Sequence, residues 1–279
     1  MSSRPTPSVR NRRIGMELRR LRDERRMTID RAARTIWRST GWLSGVENGY
    51  GICGDDLEDV LDRYGVEDPS YRAALVELAR VERKRGWWRR HARVLSPAAM
   101  DFISLESDSR SVCTYEVLSV PGLLQTPAYA RALITDGPGD PERAVAIRMA
   151  RQQILRGGDA PRLSVVLTEA VVRQLVGGAE TMSGQLDHLM CQAGRDMIDL
   201  RVIPFEVGAH VGFDGSFTLM EIGRQGRLAV GVIESPGRMT YVEADDEVRH
   251  LGERFQQLQA VALNEGDTCS FIERIRSKL

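Results

Sequence analysis

The side chains that could do chemistry in this sequence are four histidines, four cysteines and a scatter of carboxylates, and their spacing brings few of them together. Cys53, Cys113, Cys191 and Cys269 stand 60, 78 and 78 residues apart, which fits neither a zinc pair nor a compact disulfide framework. His91, His188, His210 and His250 form no His-Glu-x-x-His pattern, so the sequence predicts neither a metal nor a cofactor. Polar groups gather in one loop, 205–216, where Glu206, His210 and Asp214 sit in a glycine-rich stretch between two β-forming runs. Loops carried by a rigid sheet are common ligand sites. Two roles fit His210: a base oriented by Asp214 or Glu169, or a loop cap holding the chain by hydrogen bonds. No nucleophile motif, phosphate loop or metal spacing joins these residues, so no enzymatic activity is expected. The stretch Val120-Pro-Gly-Leu-Leu-Gln-Thr126 reads as a turn burying Leu123 and Leu124, and its position ahead of a helix N-terminus could also cradle an anion.

A second set of residues suits contact rather than catalysis. Residues 28–49 read as two short helices about a tight turn, closed by Asn48-Gly49. Thr28 caps the first helix, which buries Ile29, Ala32, Ala33 and Ile36 and stops near Trp37-Arg38. The second starts at Ser39. Leu43 and Val46 face the core, which turns Gly41, Ser44 and Gly45 outward, with Thr40 and Trp42 on the flanks. This is the outline of a helix-turn-helix reader of double-stranded DNA. Glu47 is expected to pair with Arg19 or Arg20. Arg38 and the cluster Arg10, Arg12 and Arg13 are expected to neutralise phosphates. Trp42 could stack on a sugar or thymine methyl, or cap the core or a dimer contact. Gly41 and Gly45 occupy places where base-reading side chains would serve, each costing the helix about 1 kcal/mol relative to alanine. Either the backbone approaches DNA closely, or direct base readout is poor.

The elements that position these groups follow from periodicity and charge. Ile14, Leu18, Leu21 and Arg22 mark a helix over 14–25, and Leu57, Val60, Leu61 and Tyr64 another. Residues 70–93 read as one helix ending in Arg-Lys-Arg and paired Trp87 and Trp88, and 97–106 as a helix followed by a polar turn. Further on, helices are predicted over 126–134, 141–156, 170–176, 182–193, 245–262 and 269–277. Five β-runs, at 163–167, 199–204, 215–222, 228–234 and 239–242, predict a mixed sheet. The fold class is therefore α+β, with an all-α DNA-binding domain (1–68), a helical linker (69–112) and an α+β domain (113–279). The chain is neutral overall, yet residues 1–93 hold 21 basic against 14 acidic side chains and the remainder 18 against 25. Opposite signs point to two domains with different partners. No apolar run approaches eighteen residues and no signal-peptide pattern opens the chain, which predicts a cytoplasmic protein without membrane contact.

Thr28, Ala33, Ser39, Ser44, Glu47 and Gly49 resemble the pattern of the Xre, or lambda-repressor-like, helix-turn-helix family over about residues 12–66. The resemblance implies that the second helix enters the major groove and assigns Ser39, Thr40, Gly41, Trp42 and Ser44 to the DNA face, with Arg13, Thr28 and Arg38 beside them. Tyr115-Glu116, Val120–Thr126, Tyr129–Ala132, Arg148–Gln152, Glu169-Ala170, Gln185–Leu189, Val202–Phe205, Gly208–His210, Gly215–Thr218 and Phe255–Leu258 resemble the DUF5753-type C-terminal domain of actinobacterial Xre regulators, including those of Streptomyces. That resemblance implies a transcription factor of development or secondary metabolism, often beside a small protein partner. One small reader rarely gives enough affinity alone, so a homodimer is expected, and the C-terminal domain is expected to answer to a small-molecule effector or a small protein partner. Glu169, Glu206, His210 and Asp214 are the candidate ligand or partner residues there. Two other readings stay open: an antitoxin-like interaction module, and an enzyme carried on a DNA-targeting domain.

Overall fold

The computed structural model describes residues 7–81, 86–134, 140–222, 228–235 and 238–279. The chain divides into two compact units, residues 1–89 with 222–228, and residues 90–221 with 229–279.

The first unit is helical: α1 (Val9–Glu24), α2 (Ile29–Thr35), α3 (Thr40–Glu47), α4 (Gly54–Arg63) and α5 (Pro69–Val81). Its helices begin where short polar side chains can satisfy free backbone N–H groups. Ser8 Oγ accepts from Asn11 N at 3.3 Å, Thr28 Oγ1 from Arg31 N at 3.3 Å, and Ser39 Oγ from Trp42 N at 3.1 Å. Ile14, Leu18, Ala32, Ala33, Ile36, Leu43, Leu57, Leu61, Leu75 and Leu78 form the core, each at most 2% exposed. Gly15 lets α1 meet α3: a Cβ there would lie 2.4 Å from the carbonyl oxygen of Val46. The helix predicted over 70–93 ends as α5 at Val81, and Trp87–His91 form a separate 3-10 turn. The Arg-Lys-Arg run between them lies outside the described residues.

The second unit is built on a sheet. Its elements are α6 (Pro97–Ser107), β1 (Ser109–Glu116), α7 (Pro127–Leu133), α8 (Pro141–Arg151), β2 (Arg162–Thr168), α9 (Glu169–Arg173), α10 (Ala179–Ala193), β3 (Ile198–Ile203), β4 (Phe217–Ile222), β5 (Leu228–Ser235), β6 (Arg238–Val242), α11 (Asp245–Val261) and α12 (Glu265–Arg276). Among the described residues six strands pair in the order β3-β2-β1-β4-β5-β6, with β1, β2 and β3 parallel and β5 antiparallel to β6. Ser111 meets Glu221 and Thr114 meets Thr218, so β4 runs antiparallel to β1. The sheet thus has six strands, not the predicted five. The additional strand is β1, whose first residues read in sequence as a polar turn, and it lies at the centre.

Alternation along β1 sends Cys113 and Tyr115 to one face and Val112, Thr114 and Glu116 to the other. On the first face Tyr115, Val166, Ile203, Phe217 and Leu219 pack against Val248, Leu251, Phe255 and Leu258 of α11. The second face holds Leu163, Val165, Leu167, Leu200, Val202 and Met220, all at most 1% exposed. That face is also where the unit keeps a polar cavity.

Candidate functional site

The turn between α2 and α3 is made by Trp37, whose φ of 55° is left-handed. That conformation costs an L-residue about 1 kcal/mol. The Trp37 side chain is 78% exposed, and the Arg63 guanidinium stacks 3.7 Å from its ring centroid, an attraction that offsets the strain. The backbone then enters α3 through Ser39. Arg38, Ser39, Thr40 and Gly41 are exposed, and Trp42 and Ser44 are half-buried. Ser39 Oγ is the N-cap acceptor, Thr40 Oγ1 donates to Asp30 Oδ1 at 2.8 Å, and Asn48 Nδ2 donates to the Ser44 carbonyl at 2.7 Å. A Cβ on Gly41 would meet nothing within 4 Å, and one on Gly45 only Tyr50 at 3.9 Å. Neither glycine is required by packing within the protein.

Glu47 makes the expected contact with Arg19 beside a closer one, and three arginines differ from expectation. Glu47 is held chiefly by Arg22, through Nε at 2.7 Å and Nη2 at 2.9 Å, with Arg19 at 3.4 Å; Arg20 instead pairs with Glu17 and Glu24. Arg22 lies on the edge of the α1 stripe, near enough to the core to reach a carboxylate that is 2% exposed. Arg13 is buried and bonds to buried Glu17 at 2.8 Å, and Arg10 is 4% exposed, so these two guanidinium groups belong to the interior and not to a phosphate-facing surface. Arg38 is on the surface but spends its charge on Asp56 at 2.5 Å, with its guanidinium 5.3 Å from the Trp42 ring. Arg31 and Arg34 of α2 are exposed and were not singled out from the sequence; a capped helix start followed by Arg at its third and sixth residues was the available signal.

In the second unit the loop residues are placed on the α11 side of the sheet but do not converge on one point. His210 Nδ1 accepts from Gly212 N at 3.1 Å, and its ring meets Tyr115 edge-on with centroids 6.1 Å apart. Gly212 lies so close to Tyr115 that a Cβ would fall 2.4 Å from its ring. Partial burial lowers the His210 pKa. Asp214 pairs with Arg254 at 2.5 Å; Glu169, buried, accepts from Phe205 N at 2.7 Å and bonds Arg173; Glu206 is exposed. His210 and Glu169 therefore fix the loop's backbone, as the capping role requires, and neither Asp214 nor Glu169 orients His210.

The cavity lies on the opposite face and has a volume of about 130 Å³. Its floor is Val112, Thr114 and Glu116 of β1 with Leu163 and Thr218; its walls are Phe102 and Glu106 of α6, Arg148 and Arg151 of α8, the turn 119–125, and Glu234 of β5. The strand order reverses direction at β1, the kind of switch point where open sheets leave crevices. Three glutamines fasten the turn. Gln125 Nε2 donates to Val120 O at 2.6 Å, Gln152 Nε2 to Gly122 O at 3.0 Å and Gln125 O at 2.7 Å, and Gln185 Nε2 to Leu124 O at 2.7 Å. Leu123 and Leu124 are buried as expected.

Arg151 and Glu106 form a two-point pair at 2.9 and 2.8 Å, and the guanidinium lies 5.0 Å from the Phe102 ring, so this charge is satisfied internally. Arg148 differs. Its Nη1 donates to the neutral amide of Gln125 at 2.8 Å, and it forms no ion pair with a described carboxylate. Burial, then repulsion from Arg151, lowers its pKa. Across the cavity, burial and repulsion from Glu234 push Glu116 up to about 7. Sequence reading named the turn and met Glu116, Arg148 and Arg151 only inside segments that carry the family resemblance; it gave no site role to these or to Glu106 and Glu234, which no local spacing links.

The fold and these surfaces define a chain with a helix-turn-helix unit and an α+β unit that holds a charged cavity. A helix-turn-helix domain model matches residues 13–75, which marks a DNA-binding regulator. A model described as a domain of unknown function, DUF5753, matches residues 99–274, well over half of the chain, and the chain belongs to that family. Neither the curated proteins nor the solved structures give a match. Among the described residues no helix is long and apolar enough to cross a membrane.

Proposed function

We propose that the protein is a cytoplasmic, homodimeric transcription regulator whose C-terminal unit senses a ligand or a small protein, and that it is not an enzyme. The observation that carries the DNA reading is the exposed start of α3, where Arg38, Ser39, Thr40 and Gly41 form an open surface on a helix anchored by Leu43 and Val46. Placed in a major groove, that surface presents Ser39, Thr40, Trp42 and Ser44 to base edges, with Arg31, Arg34 and Arg38 toward phosphates. Thr28 contributes as the cap that orients α2. A single module of this size rarely gives operator affinity alone, which favours a dimer on paired half-sites. Sensing works by preference: a ligand that binds one arrangement better shifts the population, and DNA affinity changes by that difference. The role in development or secondary metabolism rests on the family resemblance. The internally occupied His210 and Glu169 support the non-enzymatic reading.

The test is footprinting on genomic DNA at two salt concentrations. Discrete protected sites with inverted halves about one helical turn apart support the dimeric reader. Diffuse binding that disappears with salt would refute sequence-specific regulation.

A further inference from the structure

We infer that the cavity beneath the turn 119–125 binds a small zwitterionic metabolite of the α-amino acid class, its carboxylate on Arg148 and its ammonium toward Glu116 and Glu234. The inference rests on the sensor reading above and names what is sensed.

The cavity's charges select the class. Arg148 is largely withdrawn from water, with one neutral hydrogen-bond partner and, among the described residues, only the more distant attraction of Glu234 and no carboxylate in an ion pair, a state that an incoming carboxylate relieves with a two-point bond. An anion alone would satisfy Arg148 while facing Glu116 and Glu234; a cation alone would face Arg148 and Arg151. A molecule carrying both charges meets each wall with its complement and brings no net charge inside. Glu116, which burial holds near half-protonation at neutral pH, becomes a stable anion only when a cation sits against it. Phe102, Val112, Leu123 and Leu163 supply an apolar wall for a side chain. A volume of about 130 Å³ suits a small ligand, since a cavity near 150 Å³ takes a benzene-sized molecule. The Arg151–Glu106 pair, already closed on itself, leaves Arg148 as the anchoring cation.

Calorimetric titration and thermal unfolding of the full chain test this, with the twenty proteinogenic L-amino acids, lactate and inorganic phosphate as probes. At least one amino acid is expected to bind saturably and, at about a hundredfold excess over Kd, to raise Tm by roughly 5–10 °C. Arg148→Gln should weaken that binding about 10- to 100-fold. Glu116→Gln keeps the cavity's shape and should weaken it about tenfold, and it decides the matter if Arg148→Gln does not fold. Absence of binding by every amino acid, tighter binding of phosphate or lactate, or wild-type affinity in a folded variant would overturn the site. Amino-acid binding that leaves DNA affinity unchanged supports the site and removes only the sensor reading. DNA affinity that responds to an effector equally in wild type and folded Arg148→Gln keeps the sensor and overturns the site.

Discussion

Gly41→Ala separates what α3 needs from what DNA needs. Gly41 is the second residue of the helix, has no left-handed φ, and its added Cβ would meet nothing within 4 Å. Alanine should therefore stabilise the first unit by about 0.5–1 kcal/mol, through lower chain entropy in the unfolded state and better helix propensity. All four tryptophans, Trp37, Trp42, Trp87 and Trp88, fall within residues 1–89, so tryptophan fluorescence in urea reports on that unit alone. With a slope of about 1.5 kcal/mol per molar, the midpoint should rise by roughly 0.3–0.7 M. Operator affinity should move the other way. If the α3 backbone lies against DNA, a methyl at the contact overpacks it by about 1–3 kcal/mol, a loss of roughly 5- to 150-fold. A more stable variant with unchanged operator affinity would refute the close-approach reading of this glycine, and a destabilised variant would refute the open geometry itself.

Glu47→Ala strips the carboxylate from a pair in which Glu47 is 2% and Arg22 14% exposed, and should cost the first unit about 2–4 kcal/mol by the same fluorescence assay; a loss under about 0.5 kcal/mol would show that the α1–α3 pair carries no stability. Arg38 and Asp56 are 43% and 38% exposed, so Asp56→Asn should change stability by less than about 0.5 kcal/mol while freeing a guanidinium for phosphate. Its affinity for random DNA should rise several-fold and the slope of log K against log salt should steepen by about 1; an unchanged slope removes Arg38 from the phosphate contacts. Glu116 binds its proton more tightly folded than unfolded, so its contribution is complete below about pH 4.5 and is lost as pH rises through about 7. Calorimetry should show the second unit losing up to about 3 kcal/mol over that interval, and Glu116→Gln should abolish this slope; a variant with the wild-type profile would sink the assignment.

The helix-turn-helix was legible because its signals are local. A capping hydroxyl at Thr28 or Ser39, apolar residues three and four apart, and Asn48-Gly49 at the end each act within one turn of helix. Arginine is what misled. A guanidinium looks the same in sequence whether solvated or buried, and only the fold shows that Arg13 meets Glu17 inside while Arg22 reaches Glu47. Strand β1 was missed for a related reason: Ser-Arg-Ser-Val-Cys-Thr-Tyr-Glu places polar residues on both faces, because one face lines a polar cavity. The cavity itself draws its charges from α6, β1, α8 and β5, up to 128 residues apart between Glu106 and Glu234, a separation across which no spacing rule operates.

The wiring of that cavity indicates how a ligand could act on the turn above it. Gln125 is 3% exposed and serves two masters: Oε1 accepts from Arg148 and Nε2 donates to Val120 O. A carboxylate that draws Arg148 toward itself competes with the bond that also orients Gln125, so occupancy at Arg148 loads the turn 120–125, which is tied to α10 through Gln185. Gln125→Glu removes the same hold on Val120 O without a ligand, while occupying Arg148. The new carboxylate pairs with Arg148 and leaves Val120 O without its donor, a loss of about 1–3 kcal/mol set against the ion pair gained. The variant should fold, bind no amino acid at concentrations that saturate the wild type, and show the DNA affinity of the liganded protein. Wild-type amino-acid affinity in Gln125→Glu would mean that Arg148 is not the anchor; lost amino-acid binding with the DNA affinity of the free protein would mean that the turn does not carry the signal.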